Sequence, residues 1–255
     1  MVCVNLIMCR VRRVSAVIVV VLVLLVVSFL FYSSMVMMGD RTAAVKAWSN
    51  PAVTITSTGH SVVLEPTGEA SGIGLVFIPG AKVDPYAYLY KLSGIVESSG
   101  VTVVITKPTL NLAFFDQRPL SLFESDAPDV TRWFIGGHSL GGVRACQLAD
   151  SPGAGAEVAG LVLFGSYCAN NLADSNLDVL SIGGSEDGLS TPGKIREASR
   201  LLPAQANLMQ IDGLNHAGFG DYGTQSGDGT ATLTSDQERD AITELLQFVV
   251  GKNVR

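Results

Sequence analysis

Short, continuous apolar stretches recur along most of the chain and alternate with segments of helical character. Apolar stretches of this kind are typical of strands in a sheet that is covered on both faces. They predict strands at residues 74–78, 101–105, 132–137, 160–164, 178–182 and 207–211. Helices are expected between them at 86–98, 143–149, 193–202 and 236–250, with an irregular or helical segment near 114–126. The alternation predicts one α/β domain with a mostly parallel sheet and helices on both faces.

Two details extend this prediction. Residues 53–56 and 60–65 are short and rich in β-branched side chains, and they predict a β-hairpin that forms an antiparallel edge of the sheet. Ser235 is followed three residues later by Glu238, which predicts a capping box at the start of the last helix.

The longest apolar run, residues 14–38, is long enough to cross a bilayer as a helix. Arg10, Arg12 and Arg13 come just before it, so residues 1–13 are expected in the cytoplasm. The resulting prediction is a transmembrane signal anchor at 14–38, a tether at 39–52 and an extracytoplasmic α/β domain at 53–251. A cleaved signal peptide, followed by secretion, is the alternative.

Charge is distributed unevenly. The chain carries a net charge of −6, and all 23 acidic residues follow the apolar run, whereas three of the 17 basic residues precede it. An acidic domain is a poor partner for nucleic acid or for an anionic membrane surface. We therefore expect no nucleic-acid ligand, and membrane contact only through the N-terminal helix. The oligomeric state is left open.

A G-x-S-x-G motif, residues 137–141, follows the predicted strand at 132–137 and precedes a predicted helix. In this strand–turn–helix context the central serine is exposed on a sharp turn, where an adjacent base can activate it. Ser139 is therefore the predicted nucleophile.

The chain has three histidines. His138 neighbours the serine and is expected to point elsewhere, and His60 belongs to the hairpin, which leaves His216 as the predicted base. Asp187 directly follows the strand 178–182 and is the predicted acid that orients this imidazole. Glu186 is the nearest alternative, and Asp212 and Asp221 are weaker ones.

Backbone amides are expected to bind the negative charge that develops during acyl transfer. The N–H groups of Leu140 and Ala81 are the predicted donors, Ala81 because it lies in the sharp turn after strand 74–78. This chemistry requires no metal and no organic cofactor.

Only residues 165–177 separate two predicted core strands. This segment is too short for a cap domain, and its length favours small or exposed substrates.

Cys146 and Cys168 both fall in the exported part. They could pair in an oxidising compartment. Their separation cannot be read from the sequence, and we expect buried free thiols.

These motifs resemble the α/β-hydrolase superfamily, in which nucleophile, acid and base follow one another in the order Ser139, Asp187, His216. Segments 78–85, 136–142 and 215–223 are similar to those of compact, capless bacterial hydrolases akin to dienelactone hydrolases, which use cysteine where this chain has Ser139. The resemblance implies esterase-type chemistry and leaves the substrate open.

The predicted function is that of a membrane-anchored serine hydrolase, a carboxylesterase for small or envelope-borne esters. Two alternatives use the same fold. An acyltransferase would pass the acyl group to an envelope acceptor instead of water, and a non-catalytic binding protein would keep the fold without the reaction.

Overall fold

The computed structural model describes residues 2–151 and 158–251, and the chain divides into two compact units, Met1–Met35 and Val36–Arg255. The first unit contains one helix, α1 (Val2–Ser34). Its portion Arg10–Ser34 has a mean hydropathy of 3.3 and is long enough to cross a membrane, a property that a signal sequence shares. The helix ends before residues 35–38, and Met37 forms a bridge with Val83 inside the second unit.

The second unit is built on an eight-stranded sheet with the strand order β1-β2-β4-β3-β5-β6-β7-β8. The strands are β1 (Val53–Ser57), β2 (Ser61–Pro66), β3 (Ile73–Ile78), β4 (Thr102–Thr106), β5 (Arg132–His138), β6 (Val158–Phe164), β7 (Asp178–Gly184) and β8 (Asn207–Ile211). Strand β2 is antiparallel to β1 and to β4, and all other pairs are parallel. The predicted fold class and the antiparallel hairpin at the edge are confirmed.

Helices cover both faces of this sheet. They are α2 (Arg41–Trp48), α3 (Leu89–Ser99), α4 (Leu120–Glu124), α5 (Leu140–Asp150), α6 (Pro192–Ala198) and α7 (Ser235–Val249). One core layer joins Phe134 of β5 to α3 and α7, and the other joins Ile135 of β5 to α4 and α5. This division follows from the strand geometry, because successive side chains point to opposite faces.

Two local predictions differ from the structure. The segment expected as a tether contains α2, whose Ala43 and Ala47 are buried and whose first turn is capped by Asp40. The capping box of α7 is formed by Thr234 and Gln237, one residue before the predicted pair. Glu238 instead turns inward and accepts a hydrogen bond from the buried Lys91.

The expectation of free thiols at Cys146 and Cys168 is wrong, because the two form a disulfide with a Cα–Cα distance of 5.5 Å. The loop after β6 folds back over α5, where Asn170 donates a hydrogen bond to the carbonyl of Cys146. This return of the chain brings the second cysteine onto the helix that carries the first.

Candidate active site

Ser139 lies at the junction of β5 and α5 with φ 52° and ψ −125°, and a positive φ is unusual for a residue with a side chain. The turn is tight on both sides. A Cβ atom at Gly137 would lie 2.5 Å from the carbonyl carbon of Gly141, and one at Gly141 would collide with the backbone of Ile78. Only glycine fits at these two positions, which explains the spacing of the motif.

The predicted acid and base are in direct contact. Asp187 Oδ2 lies 2.8 Å from Nδ1 of His216, and both side chains are buried. The other carboxylate oxygen accepts hydrogen bonds from the backbone N–H groups of Leu189, at 2.9 Å, and Ser190, at 2.6 Å. The carboxylate is therefore fixed by its own turn and presents one oxygen to the imidazole.

This pair lies beside the serine turn. The backbone N–H of Ser139 donates to the carbonyl of Phe164, and a Cβ atom at the next residue, Gly165, would lie 2.9 Å from Asp187 Oδ2 and 3.1 Å from His216 Nδ1. The second ring nitrogen of His216, Nε2, is buried and has no hydrogen-bond partner in the described part of the chain. It can therefore accept a proton from a bound or neighbouring hydroxyl group.

The alternative acids make other contacts. Glu186 accepts a hydrogen bond from the hydroxyl of Ser185, and Asp212 accepts one from Gln210. Asp221 forms an ion pair with the buried Lys91. Within residues 2–151 and 158–251, Asp187 is the carboxylate that contacts the His216 ring.

The sequence analysis missed Asp228, which connects the loops that carry Asp187 and His216. Its carboxylate accepts hydrogen bonds from the backbone N–H groups of His216 at 3.0 Å, Ala217 at 2.9 Å and Gly188 at 3.1 Å. Gly188 directly follows Asp187, so one carboxylate holds both loops. Asp228 lies in a glycine-rich loop with no motif of its own, and its acceptors are backbone groups that a sequence does not reveal.

Ala81 and Leu140, the predicted anion-binding donors, both have available N–H groups. In the 79–82 loop, the N–H of Gly80 donates to Tyr88 and that of Lys82 to Asn111, whereas the N–H of Ala81 has no acceptor among the described residues. Leu140 is the first residue of α5, so no preceding helical turn accepts its N–H.

The sequence analysis expected His138 to point away from the site. Its ring instead packs against that of His216, with 4.4 Å between ring centroids. Burial, and next the charge of His216, lower the pKa of His138 well below its usual value of 6.5. Strand alternation could have found this contact, because His138 shares the face of β5 on which Phe134 is buried.

The 165–177 loop between β6 and β7 contains no helix or strand and so forms no cap domain. Among the described residues, no cluster of three or more histidine, cysteine, aspartate or glutamate side chains is arranged to hold a metal ion.

Similarity to solved structures extends over most of the chain. An alpha/beta hydrolase enzyme from the metagenome of lagoon sediments at Mar Chica, Morocco, has 16% identity and a TM-score of 0.53, covering 76% of this chain and 98% of that one. Carboxyl esterase 2 from the mycorrhizal fungus Tuber melanosporum has 12% identity and a TM-score of 0.57, covering 86% and 91%. A dienelactone hydrolase-like promiscuous phosphotriesterase from metagenomic libraries has 14% identity and a TM-score of 0.55, covering 78% and 99%.

At these identities the likeness establishes the fold. The search of curated proteins gives no match. The model of the alpha/beta hydrolase family matches residues 74–240, which is more than half of the chain and includes Ser139, Asp187 and His216. The chain therefore belongs to the alpha/beta hydrolase family.

Proposed function

We propose that the protein is a serine hydrolase of carboxylic esters with Ser139 as nucleophile, His216 as general base and Asp187 as the orienting acid. The observation that carries this proposal is the buried 2.8 Å contact between Asp187 and His216 Nδ1, with His216 Nε2 unpartnered beside the strained serine turn. A binding module has no chemical need for this combination.

In the proposed reaction, His216 Nε2 takes the proton of the Ser139 hydroxyl as the oxygen attacks the ester carbonyl. The Asp187 carboxylate holds the proton on Nδ1 and stabilises the imidazolium that forms. His216 then gives its proton to the leaving alcohol, and an acyl-enzyme remains. Water, activated by the same imidazole, attacks the acyl carbonyl, and Ser139 leaves with the returned proton.

The tetrahedral intermediates carry a negative charge on the former carbonyl oxygen. The N–H groups of Leu140 and Ala81 are proposed to donate to this oxygen, because both lack an acceptor within the described chain. Loss of one such donor typically lowers the rate by about 10²- to 10³-fold.

The proposed substrates are small esters, or ester groups exposed on a larger molecule. The 165–177 loop forms no cap domain that could enclose a long substrate. The esterases among the structural neighbours support ester hydrolysis as the type of reaction.

We propose further that α1 anchors the chain in a membrane with the hydrolase domain on the extracytoplasmic side. Three features support this: the apolar portion Arg10–Ser34, the arginines before its apolar core, and the Cys146–Cys168 disulfide, since disulfides persist in oxidising compartments. Alkylation of intact cells with and without reductant tests on which side of the membrane the hydrolase domain lies. N-terminal sequencing of the mature protein distinguishes a retained anchor from a cleaved signal.

Hydrolysis of p-nitrophenyl acetate, butyrate and octanoate by the purified full-length protein in detergent tests the activity. We expect turnover of at least one ester and its loss in Ser139→Ala, whose thermal unfolding should stay close to that of the wild type. Ser185→Ala is the control, because this half-buried serine lies two residues before Asp187 and has no proposed catalytic role; its hydroxyl contacts Glu186 and the N–H of Gly213. Equal turnover by wild type and Ser139→Ala would overturn the proposal.

A further inference from the structure

A chain of buried polar groups links the 79–82 loop to the ring that packs on His216. The N–H of Gly80 lies 3.0 Å from the hydroxyl of Tyr88, and that hydroxyl lies 2.9 Å from Nδ1 of His138. The ring of His138 in turn lies 4.4 Å from the ring of His216. These groups come from three separate parts of the chain and meet beside the serine turn.

The Tyr88 hydroxyl can accept one hydrogen bond and donate the other in this chain of groups. An amide N–H can only donate, so the Tyr88 oxygen accepts from Gly80 and its own hydrogen is free to reach His138. We assign this hydrogen to the bond with Nδ1 of His138, which places the proton of the neutral ring on Nε2, a buried nitrogen with no hydrogen-bond partner among the described residues. Tyr88 and His138 are both buried, and burial raises the pKa of Tyr88, so both rings stay neutral near pH 7.

The packing around this chain is close. A Cβ atom at Gly80 would lie 2.9 Å from His138 Nδ1 and 3.3 Å from the Tyr88 hydroxyl, so the backbone of the 79–82 loop rests directly on both side chains. On the other side, His138 contacts the ring of Phe219, in the helical turn that follows His216. The loop that offers the Ala81 N–H and the segment that carries the base are therefore held against the same imidazole.

We infer that Tyr88 and His138 are positioning residues that set the 79–82 loop and the His216 ring relative to each other. The Ala81 N–H and His216 Nε2 are thereby placed to act on the same bound ester. This role rests on the proposed function. Neither residue touches the reacting atoms. Both act through the backbone of Gly80 and through the imidazole of His216.

Tyr88→Phe tests the role, because it removes one oxygen and keeps the ring. It leaves the Gly80 N–H and His138 Nδ1 without their partner, and we expect kcat for the best p-nitrophenyl ester to fall about 10- to 100-fold with KM changed less than about twofold. Tyr222→Phe is the matched control: its hydroxyl bonds Gln225, and its ring also lies near His138, at 6.1 Å. It should keep kcat within about twofold of the wild type.

Substitutions of His138 give a second measurement. His138→Asn keeps an acceptor near the position of Nδ1 and should retain more of kcat than His138→Ala, whereas a residue that merely fills space would be replaced equally poorly by both. Equal losses in the two variants, or an unchanged kcat in folded Tyr88→Phe, would overturn the positioning role while leaving the triad in place.

Nitrogen-15 NMR of the histidine rings supplies a readout that does not depend on activity. The chain has only three histidines, so their signals can be assigned by substitution. In the wild-type protein at pH 7 we expect His138 to be neutral with its proton on Nε2, and Tyr88→Phe to shift the ring signals of His138 and His216. A proton on Nδ1 of His138 in the wild type would overturn the inference even if Tyr88→Phe does not fold. Absence of turnover and of fluorophosphonate labelling in the wild type would instead refute the proposed function, and the positioning role with it.

Discussion

The carboxylate of Asp228 lies 3.0 Å from the backbone nitrogen of His216 and thereby fixes this residue through its main chain, not through its ring. The same side chain holds Gly188, next to the acid. The relative position of Asp187 and His216 thus depends on a second carboxylate, 12 residues beyond the histidine.

Substitution of Asp228 should therefore reduce activity without removing any reacting group. We expect Asp228→Ala to lower kcat about 10-fold, because four backbone N–H groups lose their acceptor, and to lower the free energy of unfolding by about 1 to 3 kcal/mol. Ester hydrolysis and chemical denaturation measure the two effects. Asp212→Ala, which removes an exposed carboxylate bonded to Gln210, is the control and should change neither. If both variants behave alike, Asp228 does not hold these loops.

Removal of the acid should have a larger effect. Asp187→Asn keeps the size of the side chain but cannot hold the proton on His216 Nδ1, so we expect kcat to fall by about 10³- to 10⁴-fold. Glu186→Gln, one residue earlier, should retain kcat within about twofold because its carboxylate contacts Ser185. The reverse ranking in the ester assay would reassign the acid to Glu186.

The disulfide should contribute to stability and not to the reaction. Cys146 and Cys168 are separated by 22 residues, and a loop of that length corresponds to about 3 kcal/mol in the chain-entropy description. We expect the double variant Cys146→Ala/Cys168→Ala to lose roughly that free energy of unfolding and to keep its kcat at temperatures where it is folded. Equal denaturation midpoints with and without the disulfide would contradict this expectation.

Stability should also depend on pH through His138. Its pKa in the folded protein is lowered by burial from a usual value of 6.5, so below about pH 6.5 the unfolded chain binds a proton that the native ring does not. The free energy of unfolding therefore falls as pH decreases from 6.5 toward the folded pKa, by at most about 1.4 kcal/mol per pH unit.

Denaturation curves between pH 5 and pH 7.5 measure this slope. His138→Asn cannot take up the proton and should show a flatter dependence over the same interval, whereas an unchanged slope in that variant would assign the effect to other groups.

The sequence was sufficient to predict the succession of strands and helices along the chain in outline, because buried parallel strands are continuous apolar stretches. It was less informative about short elements. Helix α2 has eight residues, too few for a clear apolar period, and it was expected as a tether. The capping box was placed one residue late because Thr234 and Ser235 are each followed three residues later by a suitable partner, Gln237 or Glu238.

Within the site, Ser139, Asp187 and His216 could be selected because each follows a strand and carries a reactive group. The contacts that support them were harder to predict. Asp228 binds backbone groups from a loop, and the pairing of Cys146 with Cys168 depends on how the chain returns over α5. Such contacts are set by tertiary structure and not by spacing.

The central claim is that Ser139 is a nucleophile activated by His216. Its most direct test is reaction of the full-length protein with a fluorophosphonate, followed by peptide mapping with mass spectrometry. We predict one stoichiometric adduct on Ser139, slower labelling by orders of magnitude in His216→Gln, and unchanged labelling in Ser185→Ala. A folded wild-type protein that takes up no adduct, or an adduct on a different serine, would contradict the account.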